Sequence, residues 1–199
     1  MVFKENVINS FLNIVKIFKN RNAFCIANEL YTYGQFAACI SKIQLELQSL
    51  NVQNKNIGLI ENDDLETYAS IFALWLEGMA YVPISPDAPL ERNKFVLEQV
   101  GIDTVIDSSN ENTYSKYNLI KSSEIFNSNN SELIAKEVSE NALVYILFTS
   151  GTTGRPKGVP ISRGNLSTFV EAYKDLEVNI TPDDKCLQMF NLTFDLSVI

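Results

Sequence analysis

Val7, Phe11, Ile14, Val15 and Phe18 recur at helical spacing and predict an amphipathic helix over 7–18. Two short apolar runs, 23–27 and 30–32, are separated by Asn28 and Glu29 and predict two strands joined by a turn. Thr32 and Gln35 have the spacing of a capping box. They open a helix running to about residue 50, with Ala37, Ile40, Ile43, Leu47 and Leu50 on its buried face. A strand follows at 56–60, then a helix at 65–76 that turns Tyr68, Ile71, Phe72, Trp75 and Leu76 inward. Gly78 ends that helix as a left-handed residue would, and 80–84 is the next strand. Pro89 suits the first turn of a helix that continues to Val100 and is closed by Gly101. Residues 104–106 form a further strand.

Strands and helices alternating at these spacings imply an α/β fold: a layered parallel sheet with helices on its faces and right-handed crossovers. No internal repeat is visible. Residues 107–132 break the rhythm with many Asn and Ser and one apolar cluster at 117–120. They predict an irregular excursion holding one edge strand. The pattern resumes with a deeply buried strand at 142–148, a short β-like segment at 158–161, a helix at 165–176 capped by Ser162, and a strand at 185–189.

Composition narrows the function. The chain has 199 residues, 46% hydrophobic and 20% charged, with a net charge of −8, the profile of a soluble globular protein. The acidic balance argues against nucleic acid as a partner but not against ATP, which needs only a local positive pocket. There is no histidine, which removes histidine triads, histidine metal sites and histidine general bases from this chain. Cys25, Cys39 and Cys186 are far apart and odd in number. They imply free, buried thiols in a reducing cytoplasm, with no metal spacing and no disulfide framework. The most apolar window, 71–84, contains Glu77 and Gly78 and is too short to span a bilayer. The first 19 residues lack the apolar core of a signal peptide. Cytoplasmic location without membrane insertion is the expectation.

The densest chemistry lies at 149–158. Thr149, Ser150, Thr152 and Thr153, glycines 151, 154 and 158, and Lys157 share ten positions. Glycines let a backbone approach a ligand closely. Hydroxyls and free N–H groups donate to phosphate oxygens, and a lysine adds a compact positive charge. A strand feeding such a loop predicts a polyphosphate cradle. The Walker A pattern G-x-x-x-x-G-K-S/T does not fit. Counted from Gly151, the second glycine position is Pro156, and the residue after Lys157 is Gly158 rather than Ser or Thr. Pro156 also lacks an N–H and rejects the helix that follows a Walker loop.

The stretch from Leu147 to Gly158, LFTSGTTGRPKG, resembles the phosphate-binding signature of the adenylate-forming enzymes, Y-T-S-G-S/T-T-G-x-P-K-G, with Phe148 in place of the tyrosine. Two further segments resemble the amino-acid-activating branch. LEGMAYVPISPDAPLER at 76–92 is similar to K-A-G-x-A-Y-V-P-I-D-P-x-x-P-x-E-R, departing at Glu77, Met79 and Ser85. FDLSV at 194–198 is similar to F-D-x-S-V. Residues 31–36 resemble the family's first block, L-T-Y-x-E-L, less closely. The blocks fall in order along nearly the whole chain. Within the branch, D-alanine:carrier-protein ligases are most similar in the FDLSV wording and block spacing, and adenylation domains of nonribosomal peptide synthetases compete.

The resemblance implies the N-terminal part of an acetyl-CoA-synthetase-like large domain, so that 1–199 is a truncated portion of an adenylation domain. The chain ends inside an apolar pattern, consistent with that expectation. The implied reaction activates an amino acid with ATP and passes it to the phosphopantetheine thiol of a carrier protein. Thr149, Ser150, Gly151, Thr152, Thr153, Gly154 and Lys157 are implied to surround the β- and γ-phosphates. Lys157 is the implied catalytic residue, drawing the leaving pyrophosphate. Asp195 is implied to meet the substrate's α-ammonium; its bland alternative is a helix cap. No metal ligand is assigned here, because the Mg2+ ligands are expected mostly beyond Ile199. The chain alone is expected to be inactive. A non-catalytic nucleotide-binding or interaction module is the alternative of a different class. Glu91 and Arg92 are read as a structural pair near a helix start, Trp75 and Tyr81 as core, and Arg155 as exposed.

Overall fold

Local signals fix most of the elements. In a computed structural model, residues 7–50, 52–125, 132–149, 155–174, 180–181 and 183–198 are described. Helix α1 spans Val7–Ile17. Strands β1 (Asn22–Ile26) and β2 (Glu29–Thr32) form an antiparallel hairpin. Its turn is centred one residue earlier than the sequence suggests. Ala27 and Asn28 both take positive φ, 50° and 67°, the requirement of a tight two-residue hairpin turn, and Glu29 is already paired with Ile26. Thr32 then caps α2 (Tyr33–Ser49) with the expected capping box: its hydroxyl accepts from the Gln35 N–H, and the Gln35 side chain accepts from the Thr32 N–H.

Strand β3 (Asn56–Ile60), helix α3 (Leu65–Leu76), strand β4 (Ala80–Ile84), helix α4 (Leu90–Val100) and strand β5 (Thr104–Asp107) follow. Gly78 and Gly101 both sit in the left-handed region, φ 73° and 72°, and so stop α3 and α4 as expected. Strand β6 (Asn118–Lys121) is the edge strand inside the excursion. Strand β7 (Leu143–Thr149) and strand β8 (Lys157–Ser162) lead to helix α5 (Arg163–Lys174). Ser162 and Asn165 cap α5 reciprocally, each side chain accepting the other's N–H at 3.2 and 3.0 Å.

The main sheet runs β6-β5-β3-β4-β7-β8. Its first five strands are parallel and β8 is antiparallel to β7. Alternate residues of each strand face opposite layers. Leu59, Tyr81, Ile106 and Leu147 pack with α1, α2 and α3 on one face. Ile60, Val82, Val105 and Ile146 pack with α4 on the other. Trp75 and Tyr81 are buried, as expected. Leu50 is exposed, because it lies beyond the last helical turn, and Phe36 takes the buried place at the other end of α2.

Three further expectations are corrected. Residues 185–189 form no strand; Leu187 and Met189 are exposed, and among the described residues no strand pairs with them. Cys25 and Cys186 are exposed rather than buried. Only Cys39 is partly enclosed, where burial pushes its thiol up to about 12. Glu91 pairs with Lys94 at 3.0 Å, one helical turn on, and not with Arg92.

Glu77, one of the departures from the family block, is buried beyond the end of α3. Its Oε1 accepts from the Gln44 and Gln48 side chains at 2.8 and 2.7 Å, and its Oε2 lies 2.5 Å from Lys136 Nζ. Gln44 also donates to the Ile134 carbonyl. The cluster straps residues 134–136 to α2 and α3. Burial alone would raise the Glu77 carboxyl, but the hydrogen bonds from Lys136, Gln48 and Gln44 and the lysine charge together hold it below the ordinary carboxylate range. A depressed native value adds stability above that range, which is lost as pH falls through the native value. Glu77→Gln is expected to cost about 1–2 kcal/mol at neutral pH, because an amide N–H then faces the lysine. It should also flatten the acid limb of stability against pH. Denaturant melts from pH 3 to 7 check both; equal stability of the two proteins throughout would remove the strap.

Candidate functional site at the carboxyl edge of the sheet

The carboxyl ends of parallel strands lie along one edge of a sheet, and in open α/β folds ligands bind there. Thr149 is the last residue of β7 and Lys157 the first of β8. The two form a register pair across the β7–β8 ladder. The hairpin therefore presents the hydroxyl and the ammonium side by side at the mouth of the intervening loop. Both residues are exposed, as is Arg155. The other loop candidates, Ser150, Gly151, Thr152, Thr153 and Gly154, lie outside the described residues.

Packing from behind holds β7 in place. Trp75 Nε1 donates to the Val144 carbonyl at 2.9 Å, and the Arg163 guanidinium bonds the Trp75 carbonyl, tying α3, β7 and α5 together. On the far side β8 carries Pro160, opposite Ile146. Proline is tolerated there because β8 is an edge strand.

Asp195 begins a short 3-10 turn, Asp195–Val198, and is exposed. Its Oδ1 accepts from the Leu196 N–H at 3.0 Å. The segment is brought to the sheet by Leu192, whose side chain is buried in the main core and whose N–H donates to Glu61 Oε1 at 2.6 Å. Glu61 follows the last residue of β3, so the turn bearing Asp195 is tied to the same edge that carries Thr149 and Lys157. The Asp195 charge is also felt at Tyr145 of β7, whose phenol is raised above the usual value first by burial and then by that charge. Sequence reading marked Asp195 and the hairpin but not Glu61.

The rest of this edge is closed by its own contacts. Asn62 donates to Asp107 at 3.0 Å and to Ser108 at 2.7 Å. Ser108 donates to Asp64 at 2.6 Å, and Lys121 pairs with Asp107 at 3.0 Å. Among the described residues there is no group of three or more His, Cys, Asp or Glu side chains placed to hold a metal ion.

The model of one known family, the AMP-binding enzymes, matches residues 13–199. The chain belongs to that family. It is 31% identical over 192 residues to the nonribosomal peptide synthetase sidE of Aspergillus fumigatus, a match covering 92% of this chain and 9% of that protein. It is 30% identical over 175 residues to the D-alanine–D-alanyl carrier protein ligase of Lactococcus lactis, covering 84% of this chain and 35% of the ligase. The chain thus spans a minor part of either relative. Among solved structures, the nonribosomal peptide synthetase FmoA3 superposes with a TM-score of 0.85 at 22% identity, over 96% of this chain and 20% of that one. The N-terminal subdomain of Klebsiella oxytoca NpsA, in complex with 3-hydroxyanthranilyl-AMSN, superposes with a TM-score of 0.80 at 23% identity, over 97% of this chain and 49% of that one. The fold is that of the N-terminal subdomain of adenylate-forming enzymes. No helix among the described residues is long and apolar enough to cross a membrane.

Proposed function

We propose that the protein activates an amino acid with ATP and transfers it to the phosphopantetheine thiol of a carrier protein. A substrate carboxylate oxygen attacks the α-phosphorus, the bond to the β-phosphate bridging oxygen breaks, and pyrophosphate leaves. The thiolate sulfur then attacks the acyl carbon of the aminoacyl-adenylate, and AMP leaves. The carboxylate is already ionised at neutral pH, so no general base is required. The chain's work is positioning and charge stabilisation. In this reading the loop from Thr149 to Gly154 cradles the β- and γ-phosphates, Lys157 stabilises the departing pyrophosphate, and Asp195 accepts from the substrate ammonium. The observation that carries it is the convergence of Thr149, Lys157 and the Asp195 turn on one carboxyl edge of the sheet.

Amino acids are favoured over simple carboxylic acids because Asp195 offers a carboxylate that only an ammonium-bearing substrate would pair. D-Alanine is the first substrate to test, on the FDLSV wording and the similarity to the Lactococcus lactis ligase. The similarity to a peptide synthetase, which covers more of this chain, keeps other amino acids in contention. Pyrophosphate exchange by the full-length protein across a panel of D- and L-amino acids is expected to show amino-acid-dependent incorporation, strongest for one member. Exchange supported equally by acids lacking an ammonium group, or by none of the panel, would refute the reading.

A further inference from the structure

The carboxylate of Glu61 has no role in the chemistry above, yet its placement is unusual. Its N–H is fixed to the Ile84 carbonyl at 3.0 Å, joining the ends of β3 and β4. Its Oε1 receives the Leu192 N–H at 2.6 Å, across 131 residues of sequence. Its Oε2 is buried and has no hydrogen-bond partner. Burial raises the carboxyl above the ordinary range, against the opposing pull of the Leu192 and, more weakly, Thr193 N–H groups. An ionisable group with half its acceptor capacity unused, in a place that disfavours its charge, is a poor choice for stability alone.

What it holds is well defined. Residues 183–191 and 194–196 are exposed, and Leu192 is the buried point between them. Beyond Leu192 the chain closes on itself. The Phe194 N–H donates to the Asn191 carbonyl at 2.9 Å, and the Ser197 N–H and hydroxyl donate to the Phe194 carbonyl at 3.1 and 2.6 Å. Gln188 Nε2 donates to the Ser197 carbonyl at 2.9 Å. Asp195 therefore rides on a turn braced by its own hydrogen bonds. That turn meets the sheet through the Leu192 side chain and the Glu61 carboxylate.

We propose that Glu61 is a positioning residue for amino-acid recognition: its carboxylate, braced on β3 and β4, clamps the backbone at Leu192 and so fixes where Asp195 meets the substrate ammonium. This rests on the reading of Asp195 as the ammonium-binding residue. A short charge-assisted bond to a backbone N–H sets position more stiffly than apolar contact, which tolerates sliding. The role concerns the amino acid and not the triphosphate, because the β7–β8 ladder places Thr149 and Lys157, whereas the Glu61 carboxylate bonds the backbone at Leu192.

The test uses the full-length protein with Glu61→Ala and Glu61→Gln, and two independent readouts. Amide hydrogen exchange at Leu192 and Thr193 should quicken about 10-fold in Glu61→Ala and about threefold in Glu61→Gln, whose oxygen still accepts but without charge. In pyrophosphate exchange the amino-acid KM should rise about 10-fold in Glu61→Ala and less in Glu61→Gln, with ATP KM and kcat within about twofold of the unaltered protein. Slow exchange at Leu192 in both variants overturns the clamp. Faster exchange with an unchanged amino-acid KM, or with both KM values rising together, overturns the positioning role while leaving the proposed function intact. Should Glu61→Ala not fold, Glu61→Gln decides by the same readouts. Absence of amino-acid-dependent activity in the unaltered protein defeats the proposed function and this role with it, and hydrogen exchange still reports separately on the clamp.

Discussion

Lys157→Ala is expected to lower amino-acid-dependent pyrophosphate exchange by the full-length protein about 100-fold, the loss typical when one preorganised donor to developing charge is removed. The lysine opens β8 opposite Thr149, so the ladder fixes its backbone whatever side chain it carries. Among the described residues nothing bonds its ammonium, and the residue is exposed. The substitution should therefore leave the thermal midpoint unmoved, which separates a chemical role from a structural one. The effect belongs on kcat, since negative charge grows on the pyrophosphate as its bond to the α-phosphorus breaks. The amino-acid KM should change less than about twofold, and Lys157→Arg should recover part of the rate through retained charge. An unchanged rate in Lys157→Ala would take the residue out of the mechanism.

The fold was legible where two local signals agreed. α3, β3 and β4 run from the residue to the residue that the apolar pattern indicates, and α3 stops where Gly78 takes positive φ; the Asp64 side chain that caps α3 through Thr67 is seen only in the structure. The turn at Ala27 and Asn28 was displaced by one residue because hairpin register, not composition, decides which pair takes positive φ. The expected strand at 185–189 failed for a related reason. Apolar residues spaced two apart announce a strand only where another strand lies alongside, and among the described residues none pairs with 185–189.

The departures from the family block became intelligible only with the structure. Glu77 is matched by Lys136, Gln44 and Gln48, all distant in sequence. Met79 is buried in the main core, as an apolar residue there must be. Ser85 offers its main-chain carbonyl to Asn93 at 2.8 Å, a contact independent of its side chain. For the candidate site, the hairpin residues were legible because the phosphate-loop pattern is contiguous. Glu61 was not, since a glutamate after a strand carries no mark of the backbone it will meet 131 residues later. Local pattern announces groups that act through neighbours in sequence. Groups that act by joining two segments appear only when the sheet brings those segments to one edge.

Asp195→Asn separates the two roles open to that carboxylate. The turn uses Oδ1 as an acceptor for the Leu196 N–H, and asparagine keeps such an oxygen and caps as well as aspartate. A purely structural Asp195 would thus tolerate the change with no effect on thermal midpoint or kinetics. If the charge meets the substrate ammonium, the amino-acid KM should rise about 30–100-fold, the lower part of the range for truncated charge pairs because the residue is exposed. The ATP KM should stay within about twofold. Tyr145 supplies a readout that needs no substrate. Its phenol is raised first by burial and then by the Asp195 charge, so spectroscopic titration of the asparagine variant should show this tyrosine ionising at lower pH than in the unaltered protein. A downward shift at Tyr145 with normal amino-acid kinetics would place the charge beside β7 and deny it the substrate. A shift together with the KM increase would tie the carboxylate to both.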